Sequence, residues 1–443
     1  MAPFLSPLNQ GILRLALPTI LMNISIPLLG AVDTAVVGHL PGVEHLGAVG
    51  LGSLIFTLVY WVLGFFRMST VGLAAQSHGR GDAQETADVL GRALLLALVL
   101  GSAVILLRHP IASVALHFFE ATPETEHHAG VYFNIRVFAA PAAFVLMIFQ
   151  GWYYGVGNVA YPVALTVLIN GLNIVLDLLF VNQWGFASDG VAWATLISQY
   201  LGLAAALALF RWRYRDTMRR FSPERLLSWP KMRVLLNLNF DIFVRTLGLQ
   251  AANVYFIAKS TALGDAVLGA NIILLQMRHI AAYALDGFAT AAEVTVGQAI
   301  GAGERARVLA TIRAALVWGM IVGALIALIF GLLSPWWPGW FTSNPRVLAL
   351  VLTYQLWVIA EPTLNNLCFM LDGIYVGATA TRRMRNGMVI AVVLVFLPAI
   401  EILGHYFGNH GMWAAGLLLY LARALTLAPP LVRLHRGEGV VIA

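Results

Sequence analysis

Residues 314–333, AALVWGMIVGALIALIFGLL, form an uninterrupted run of apolar and small residues without a single charge. At a rise of about 1.5 Å per residue, a helix of this length extends about 30 Å, which is the thickness of the hydrocarbon core of a bilayer. A helix that is apolar on every face over such a length is typical of a membrane span. The run therefore predicts a transmembrane helix, and the rest of the chain repeats the pattern.

The composition of the whole chain also indicates a membrane protein. Of its 443 residues, 60% are hydrophobic and 11% are charged, and the mean hydropathy is +0.81. An ordinary soluble protein has about half apolar residues and about a quarter charged residues. With one cysteine, Cys368, the chain can form no intrachain disulfide and no cysteine metal site. It also lacks a Walker-type Gly-Lys-Ser/Thr motif, which excludes direct use of ATP.

Twelve apolar runs are long enough to span a membrane, and none has the short alternating pattern of barrel strands. The sequence thus predicts an all-α polytopic membrane protein. The predicted spans lie near residues 11–38, 45–75, 87–107, 130–152, 160–181, 188–211, 232–260, 266–300, 310–333, 346–373, 385–404 and 410–432.

The distribution of basic residues predicts the orientation. If both termini face the cytoplasm, 19 of the 27 Lys and Arg residues fall in inner segments, while only Arg108, Lys259 and Arg346 fall in outer ones. This imbalance is what the positive-inside rule requires. The net charge of +6 therefore reflects loops that contact anionic membrane lipids, and it does not indicate a nucleic-acid partner.

The basic stretch 211–233 lies at the centre of the chain, and the two flanks of this stretch repeat each other. With an offset of 222 residues, Gln76 matches Gln298 and Gly151 matches Gly373. A near-constant offset over such a length indicates an internal duplication.

The duplication predicts two pseudo-symmetric six-helix bundles. We expect an N-lobe at residues 1–215, a cytoplasmic basic linker at 216–231 and a C-lobe at 232–443. Because six is even, the lobes share one orientation and are related by an axis along the membrane normal. Such a frame is typical of alternating-access transporters, although a channel or a membrane-embedded enzyme could also use it.

Four polar residues in the N-half form the first candidate site: Asp33, Asn173, Asp177 and Thr195. An ionisable side chain within a span costs about 2.5–3.5 kcal/mol, so it is functional by default. Counting residues to the helix ends places the acids and Thr195 at a common depth, roughly 7–9 Å below the outer ends of their helices. No Lys or Arg is expected at that depth, so two neighbouring carboxylates disfavour double ionisation. The oxygen ligands suit H+ or Na+ and argue against zinc or copper.

The internal duplication does not preserve this site. At offsets of 222 and 221, the residues that match Asp33, Asp177 and Thr195 are Tyr255, Pro398 and Gly416. The carboxylates are therefore not needed for the helical framework that the two halves share. The coupling site should lie in the N-half alone. The alternative is that each Asp caps a broken helix or pairs with a buried hydroxyl.

Pro18 and Pro27 precede Asp33 on the first span. A proline within a helix removes one backbone hydrogen bond and permits bending. The two prolines are candidate hinges that respond to the charge of Asp33, or else they mark static kinks.

A second set of charges lies in the C-half. Asp241 and Arg245 are four residues apart on one predicted helix, which suggests mutual neutralisation. Whether the set is a structural charge network or has a substrate or gating role stays open. Arg67 and Arg136 could serve the same purpose in the N-half. The C-half set comprises Asp241, Arg245, Arg278, Asp286, Glu293 and Glu361.

Several motifs resemble those of multidrug and toxic compound extrusion (MATE) transporters. The stretch Asn23-Ile-Ser-Ile-Pro27-Leu-Leu-Gly-Ala-Val-Asp33 resembles the opening of that family, and Ala282-Tyr-Ala-Leu-Asp286-Gly-Phe resembles its DNA-damage-inducible F (DinF) branch. The resemblance covers essentially the whole chain. It implies that the family's N-lobe cation site carries over to Asp33, Asn173, Asp177 and Thr195, with Asp372 as a weaker C-lobe candidate.

The resemblance implies a monomeric multi-pass protein of the bacterial inner membrane. Its expected function is secondary active efflux of bulky, often cationic organic compounds, including drugs, in exchange for H+ or Na+. No enzymatic activity, cofactor or resident metal is expected. The alternative is a flippase for lipids or polyisoprenoid-linked substrates that uses the same two-lobed cleft.

Overall fold

The computed structural model describes residues 6–38, 40, 43–117 and 122–435, and this part of the chain is helical without a β-strand. All twelve predicted spans are helical, which confirms the fold class. The helices are α1 (Pro7–Gly38), α2 (Val43–Leu63), α3 (Phe65–Gly79), α4 (Ala83–Leu106), α5 (Arg108–His117), α6 (Pro123–Arg136), α7 (Ala140–Gly155), α8 (Ala160–Asp177), α9 (Ser188–Arg213), α10 (Arg215–Met218), α11 (Pro223–Leu226), α12 (Trp229–Ala262), α13 (Asp265–Gly301), α14 (Arg305–Leu333), α15 (Trp337–Phe341), α16 (Pro345–Gly377), α17 (Thr381–Ile390) and α18 (Leu397–His435).

Within the described residues, eight helical segments are long and apolar enough to cross a membrane. The last, Thr381–Leu431, contains two predicted spans, and between them the backbone leaves the helical conformation at Gly408, with φ of 55°. The other three predicted spans coincide with α1, with α2 followed by α3, and with α12.

Local sequence signals begin several helices. Asp82 accepts a hydrogen bond from the backbone N–H of Glu85 (2.9 Å) at the start of α4. Asn344 accepts hydrogen bonds from two backbone N–H groups at the start of α16, where Pro345 occupies the first turn. These caps satisfy N–H groups that have no partner within the helix, so each helix begins where the polar residue precedes the apolar run.

The internal duplication is confirmed by the backbone. Residues with positive φ recur at nearly constant offsets, because each repeat ends its helices in the same turns. The pairs are Gly81 with Gly303, Gly157 with Thr379, and Gly185 with Gly408, at separations of 222, 222 and 223 residues.

Helix packing repeats as well. A Cβ atom on Gly151 would collide with the carbonyl oxygen of Arg67, and a Cβ on Gly373 would collide with that of Ala289. Both residues of the second pair lie 222 positions after those of the first. In each half, therefore, a glycine allows two helices to approach at the backbone: α3 with α7, and α13 with α16.

The chain divides into two compact units, which are residues 21–235 and residues 1–20 together with 236–443. We call them the N-terminal and C-terminal units. The division falls within α1, between Pro18 and Pro27. Ser25 accepts a hydrogen bond from Asn170 of α8 (3.1 Å) in the N-terminal unit. Earlier in α1, Asn9 accepts one from Trp318 of α14 (3.1 Å) in the C-terminal unit.

The basic stretch after α9 packs back on the N-terminal unit. Leu226 lies against Gly91 of α4, and Arg225 lies 3.7 Å from the buried carboxylate of Asp88. The expected division into lobes and linker stays a prediction.

Candidate functional site

Three helices of the N-terminal unit supply the four predicted site residues. Asp33 lies in α1, Asn173 and Asp177 lie one turn apart in α8, and Thr195 lies in α9. All four are buried, with exposed fractions of 5%, 1%, 0% and 8%. Helices α8 and α9 pack against each other, and the hydrogen bond between Ser25 and Asn170 joins α1 to α8.

One apolar cluster fixes the level of these residues. Helix α1, helix α9 and the segment that directly follows α8 each contribute a buried valine to the cluster, together with aromatic side chains from α2 and α6. Residues four apart share a helix face, so a residue four positions from a cluster member lies one turn from the cluster. The residue pairs are Asp33 with Val37, Asp177 with Val181, Thr195 with Val191, and Arg136 with Tyr132.

The carboxyl groups of Asp33 and Asp177 lie close enough to interact with each other. An ionised carboxylate only accepts hydrogen bonds, so a bond between two carboxyl groups requires a proton on one of them. Among the described residues, none donates to Oδ1 of Asp33 or to either carboxylate oxygen of Asp177. A proton or a cation between these oxygens would therefore satisfy groups that are otherwise buried without a partner.

Asn173 and Thr195 complete the oxygen set. The amide oxygen and nitrogen of Asn173 are buried without a hydrogen-bond partner in the described part of the chain. The hydroxyl of Thr195 donates to the carbonyl of Val191 (3.0 Å), which leaves its lone pairs available. Carboxylate, amide and hydroxyl oxygens together fit a hard monovalent cation as well as a proton.

The backbone changes its winding next to Asp177. Helix α8 ends at this residue, and a π-helical segment, Leu178–Gln183, follows it directly. Segments of this kind are rare and frequently occur at functional sites.

Arg136 corrects the sequence interpretation, which expected no positive side chain at this level. Its guanidinium donates to Ser53 (3.2 Å) and to Tyr132, and it lies 4.9 Å above the ring centre of Phe56. Its positive charge acts on both Asp33 and Asp177. The error arose because counting residues gives the depth of a Cα atom, whereas an arginine side chain carries its charge well away from that atom.

In the C-terminal unit, the expected neutralisation of Asp241 by Arg245 is wrong. Asp241 instead accepts hydrogen bonds from Arg385 (2.7 Å) and Thr381 (3.0 Å). Arg245 pairs with Asp372 at 2.9 Å. The spacing of residues in the sequence identifies possible ion-pair partners on the same helix face. It does not identify closer partners on other helices.

Asp372 lies between two arginines. Its Oδ2 accepts hydrogen bonds from Arg245 and from Arg423 (2.6 Å). Arg423 is not among the residues predicted for the charge network. The carboxylates of Asp286 and Glu293 also act on Arg245. This arrangement supports a charge network more than a cation site at Asp372, because two guanidinium groups already neutralise its carboxylate.

Arg278 and Glu361 form a separate pair, with 4.0 Å between Nε and Oε1. The second terminal nitrogen of Arg278 donates to Asn253 (2.8 Å). Both charged residues line a small cavity together with Pro362 and Asn365.

Comparison with known proteins matches the chain to one family. The family model described as MatE matches residues 18–179 and 243–401. The chain is 36% identical over 442 residues to "DNA damage-inducible protein F" of Escherichia coli (strain K12), covering 99% of this chain and 95% of that protein.

Two further proteins show the breadth of the likeness. The chain is 25% identical over 376 residues to "Probable multidrug resistance protein NorM" of Thermotoga maritima, covering 81% of this chain and 79% of that protein. A solved structure described as "Crystal structure of MATE in the bent conformation" has a TM-score of 0.88 at 20% identity, covering 97% of this chain and 96% of that one. At this identity the structural likeness shows the fold.

Proposed function

Because the chain belongs to the MatE family of multidrug and toxic compound extrusion transporters, we propose that it is a secondary antiporter. It exports bulky, often cationic organic compounds in exchange for H+ or Na+. Its relatives are transporters that need no cofactor, and its many apolar helices make it a multi-pass membrane protein. Both termini lie in the cytoplasm in this proposal, and the protein acts as a monomer in the bacterial inner membrane.

One observation carries the coupling step, which is the buried pair of Asp33 and Asp177. Two neighbouring carboxyl groups, with buried oxygens that no described residue satisfies, favour uptake of a positive charge. Asn173 and Thr195 add neutral oxygens to the same place. The site therefore binds the coupling cation. Binding of the cation lowers the affinity for substrate, and binding of substrate lowers the affinity for the cation.

Thermodynamics requires the two effects on affinity to be equal. If cation binding lowers the affinity for substrate, substrate binding must lower the affinity for the cation by the same factor. Substrate is then released on the side of the membrane where the cation concentration is high. The cation is released when substrate binds.

Bending of α1 links the charge of Asp33 to transport. Pro18 and Pro27 each remove a backbone hydrogen bond from this helix, and the boundary between the two compact units falls between them. A change in the charge of Asp33, six residues after Pro27, is close enough to bias the conformation of this weakened segment.

The charges of the C-terminal unit have a structural role in this proposal. Asp241, Arg245, Arg278, Glu361 and Asp372 all have oppositely charged partners within 4.0 Å. Such pairs stabilise the packing of the helices. Removing one member leaves the other charge buried without a partner, which is destabilising.

The test is efflux of a cationic dye such as ethidium from proteoliposomes, with a pH gradient and a sodium gradient imposed separately. One gradient should drive transport of the wild type, and neither should drive transport of Asp33→Asn. A matched control is Asp88→Asn, which removes another buried carboxylate of the same unit. Competition by a lipid or polyisoprenoid-linked substrate, without dye transport, would instead favour the flippase.

A further inference from the structure

The three charged groups of the N-terminal site do not balance. Asp33, Asp177 and Arg136 each lie four positions from a member of the same buried cluster, and the guanidinium of Arg136 lies 4.9 Å from the ring centre of Phe56 in that cluster. The two carboxylates carry two negative charges when both are ionised, and the guanidinium carries one positive charge. The sum is therefore −1, and binding one monovalent cation brings it to zero. A buried site is far more stable when its net charge is zero.

Arg136 is held in place by several contacts. It donates to Ser53 of α2 and to Tyr132 of its own helix, and its guanidinium lies 4.9 Å from the ring centre of Phe56 and 5.5 Å from that of Tyr132. Tyr132 is fully buried in the apolar cluster. The guanidinium is therefore a fixed charge with a defined position, unlike a surface arginine.

The duplication supplies an internal comparison. Position 136 corresponds to Val358, and Phe56 corresponds to Arg278, both at an offset of 222. In each unit, one arginine thus occupies the same pair of repeat positions on two packed helices, but it comes from α6 in one unit and from α13 in the other. In the C-terminal unit it faces one carboxylate, Glu361, and the pair is neutral.

The same pair of repeat positions therefore carries one arginine in both repeats, while the number of neighbouring carboxylates differs. The C-terminal pair has nothing to gain from a cation, whereas the N-terminal group lacks one positive charge. This difference explains why only the N-terminal unit has the coupling site, although both units repeat the same helical framework.

We propose that Arg136 is a specificity-determining residue of the coupling site, which cancels one of the two carboxylates so that a single monovalent cation completes the charge balance. The inference rests on the proposed function. The ionisable groups that surround it are Asp33 from α1, Asp177 from α8 and Tyr132 from α6. Asn173 and Thr195 are neutral and contribute only dipoles.

The test follows the protonated carboxyl band of the detergent-solubilised full chain by infrared difference spectroscopy as a function of pH. Arg136→Gln keeps hydrogen-bond donors for Ser53 and Tyr132 but removes the charge, and Arg136→Lys keeps the charge. At a separation of several ångströms, the loss of one charge shifts protonation by about one to two pH units, or roughly ten- to a hundredfold in proton affinity. Arg136→Gln should therefore shift the titration to higher pH, and Arg136→Lys should remain near the wild type.

The matched control is Arg108→Gln, which removes another arginine of the same unit that lies over an aromatic ring, 5.7 Å from the ring centre of Phe138, and that donates to a backbone carbonyl. It should leave the carboxyl titration unchanged. Equal titrations of Arg136→Gln and the wild type would overturn the proposal, and so would an equal shift in Arg108→Gln.

If Arg136→Gln does not fold, the comparison is made in the Asp33→Asn background, where the buried negative charge is smaller. There the change Arg136→Gln should still shift the remaining carboxyl of Asp177 to higher pH, and no shift would overturn the proposal. Transport separates the two hypotheses. Normal coupling in Asp33→Asn contradicts the proposed function, whereas loss of coupling in Asp33→Asn with an unshifted Arg136→Gln contradicts only the role of Arg136.

Discussion

Asp33 in α1 and Asp177 in α8 are buried in the N-terminal unit, 5% and 0% exposed, and their carboxyl groups interact with each other. They are 144 positions apart in the chain, and the hydrogen bond from Asn170 to Ser25 joins their two helices. Removal of either charge should therefore affect transport far more than folding.

The first prediction concerns Asp33→Asn. The amide has nearly the shape of the carboxyl group, and it can donate a hydrogen bond to Asp177 without a proton from solvent. Cation-driven ethidium efflux should fall to the background of empty liposomes. Thermal unfolding in detergent should occur at the wild-type temperature or above, because one buried charge has been removed. Transport at the wild-type rate would exclude Asp33 from coupling.

The second prediction concerns the glycines that let helices approach. Gly151→Ala and Gly373→Ala each place a Cβ against a backbone carbonyl that cannot move aside. Overpacking of this kind should lower the free energy of unfolding by about 1–3 kcal/mol. Gly171→Ala is the control, since no atom lies within 4 Å of its added Cβ. It should be neutral or stabilising by about 0.5–1 kcal/mol, because alanine favours a helix. Equal stability of all three variants would contradict the packing repeat.

The third prediction tests the charge network of the C-terminal unit. Asp372→Asn leaves the guanidinium groups of Arg245 and Arg423 without their shared carboxylate. Breaking a buried pair in this way costs about 3–5 kcal/mol. The unfolding temperature should therefore fall sharply. The exposed pair of Lys259 and Glu401 provides the control, since Glu401→Gln should change stability little. A stable Asp372→Asn that has lost transport would instead assign Asp372 to a functional site.

The fourth prediction concerns the hinge. A proline inside a helix costs about 3 kcal/mol relative to alanine, so Pro27→Ala should stabilise α1. If α1 must bend during transport, the same variant should slow ethidium efflux several-fold while the unfolding temperature rises. Pro18→Ala tests the other side of the boundary between the two units. Faster or unchanged efflux in both variants would show that the prolines mark static kinks.

Much of the fold could be predicted from the sequence, because each span carries its own signal. The apolar runs match helices, and the offset of 222 residues recurs in the turns at Gly81 and Gly303. The four oxygen-bearing residues of the candidate site were also singled out in this way, and their role stays a prediction. Their common level follows from helical rise alone, which is a local property of the chain.

Side-chain partners could not be predicted in the same way. Asp241 pairs with Arg385, 144 residues away, and Arg245 pairs with Asp372, 127 residues away. Residue spacing identifies neighbours on one helix only, and the choice among distant partners depends on how the helices pack. Arg136 was misplaced for a related reason, since the reach of a long side chain is independent of the depth of its Cα.

The most direct test of the coupling claim is to count the cations that leave the protein when substrate binds. Ethidium is added to the solubilised transporter in weak buffer, while an indicator dye follows protons and radioactive sodium follows Na+. The wild type should release one of these cations, and the double variant Asp33→Asn/Asp177→Asn should release neither. Undiminished release from the double variant would contradict the account, because the cation would then be bound elsewhere.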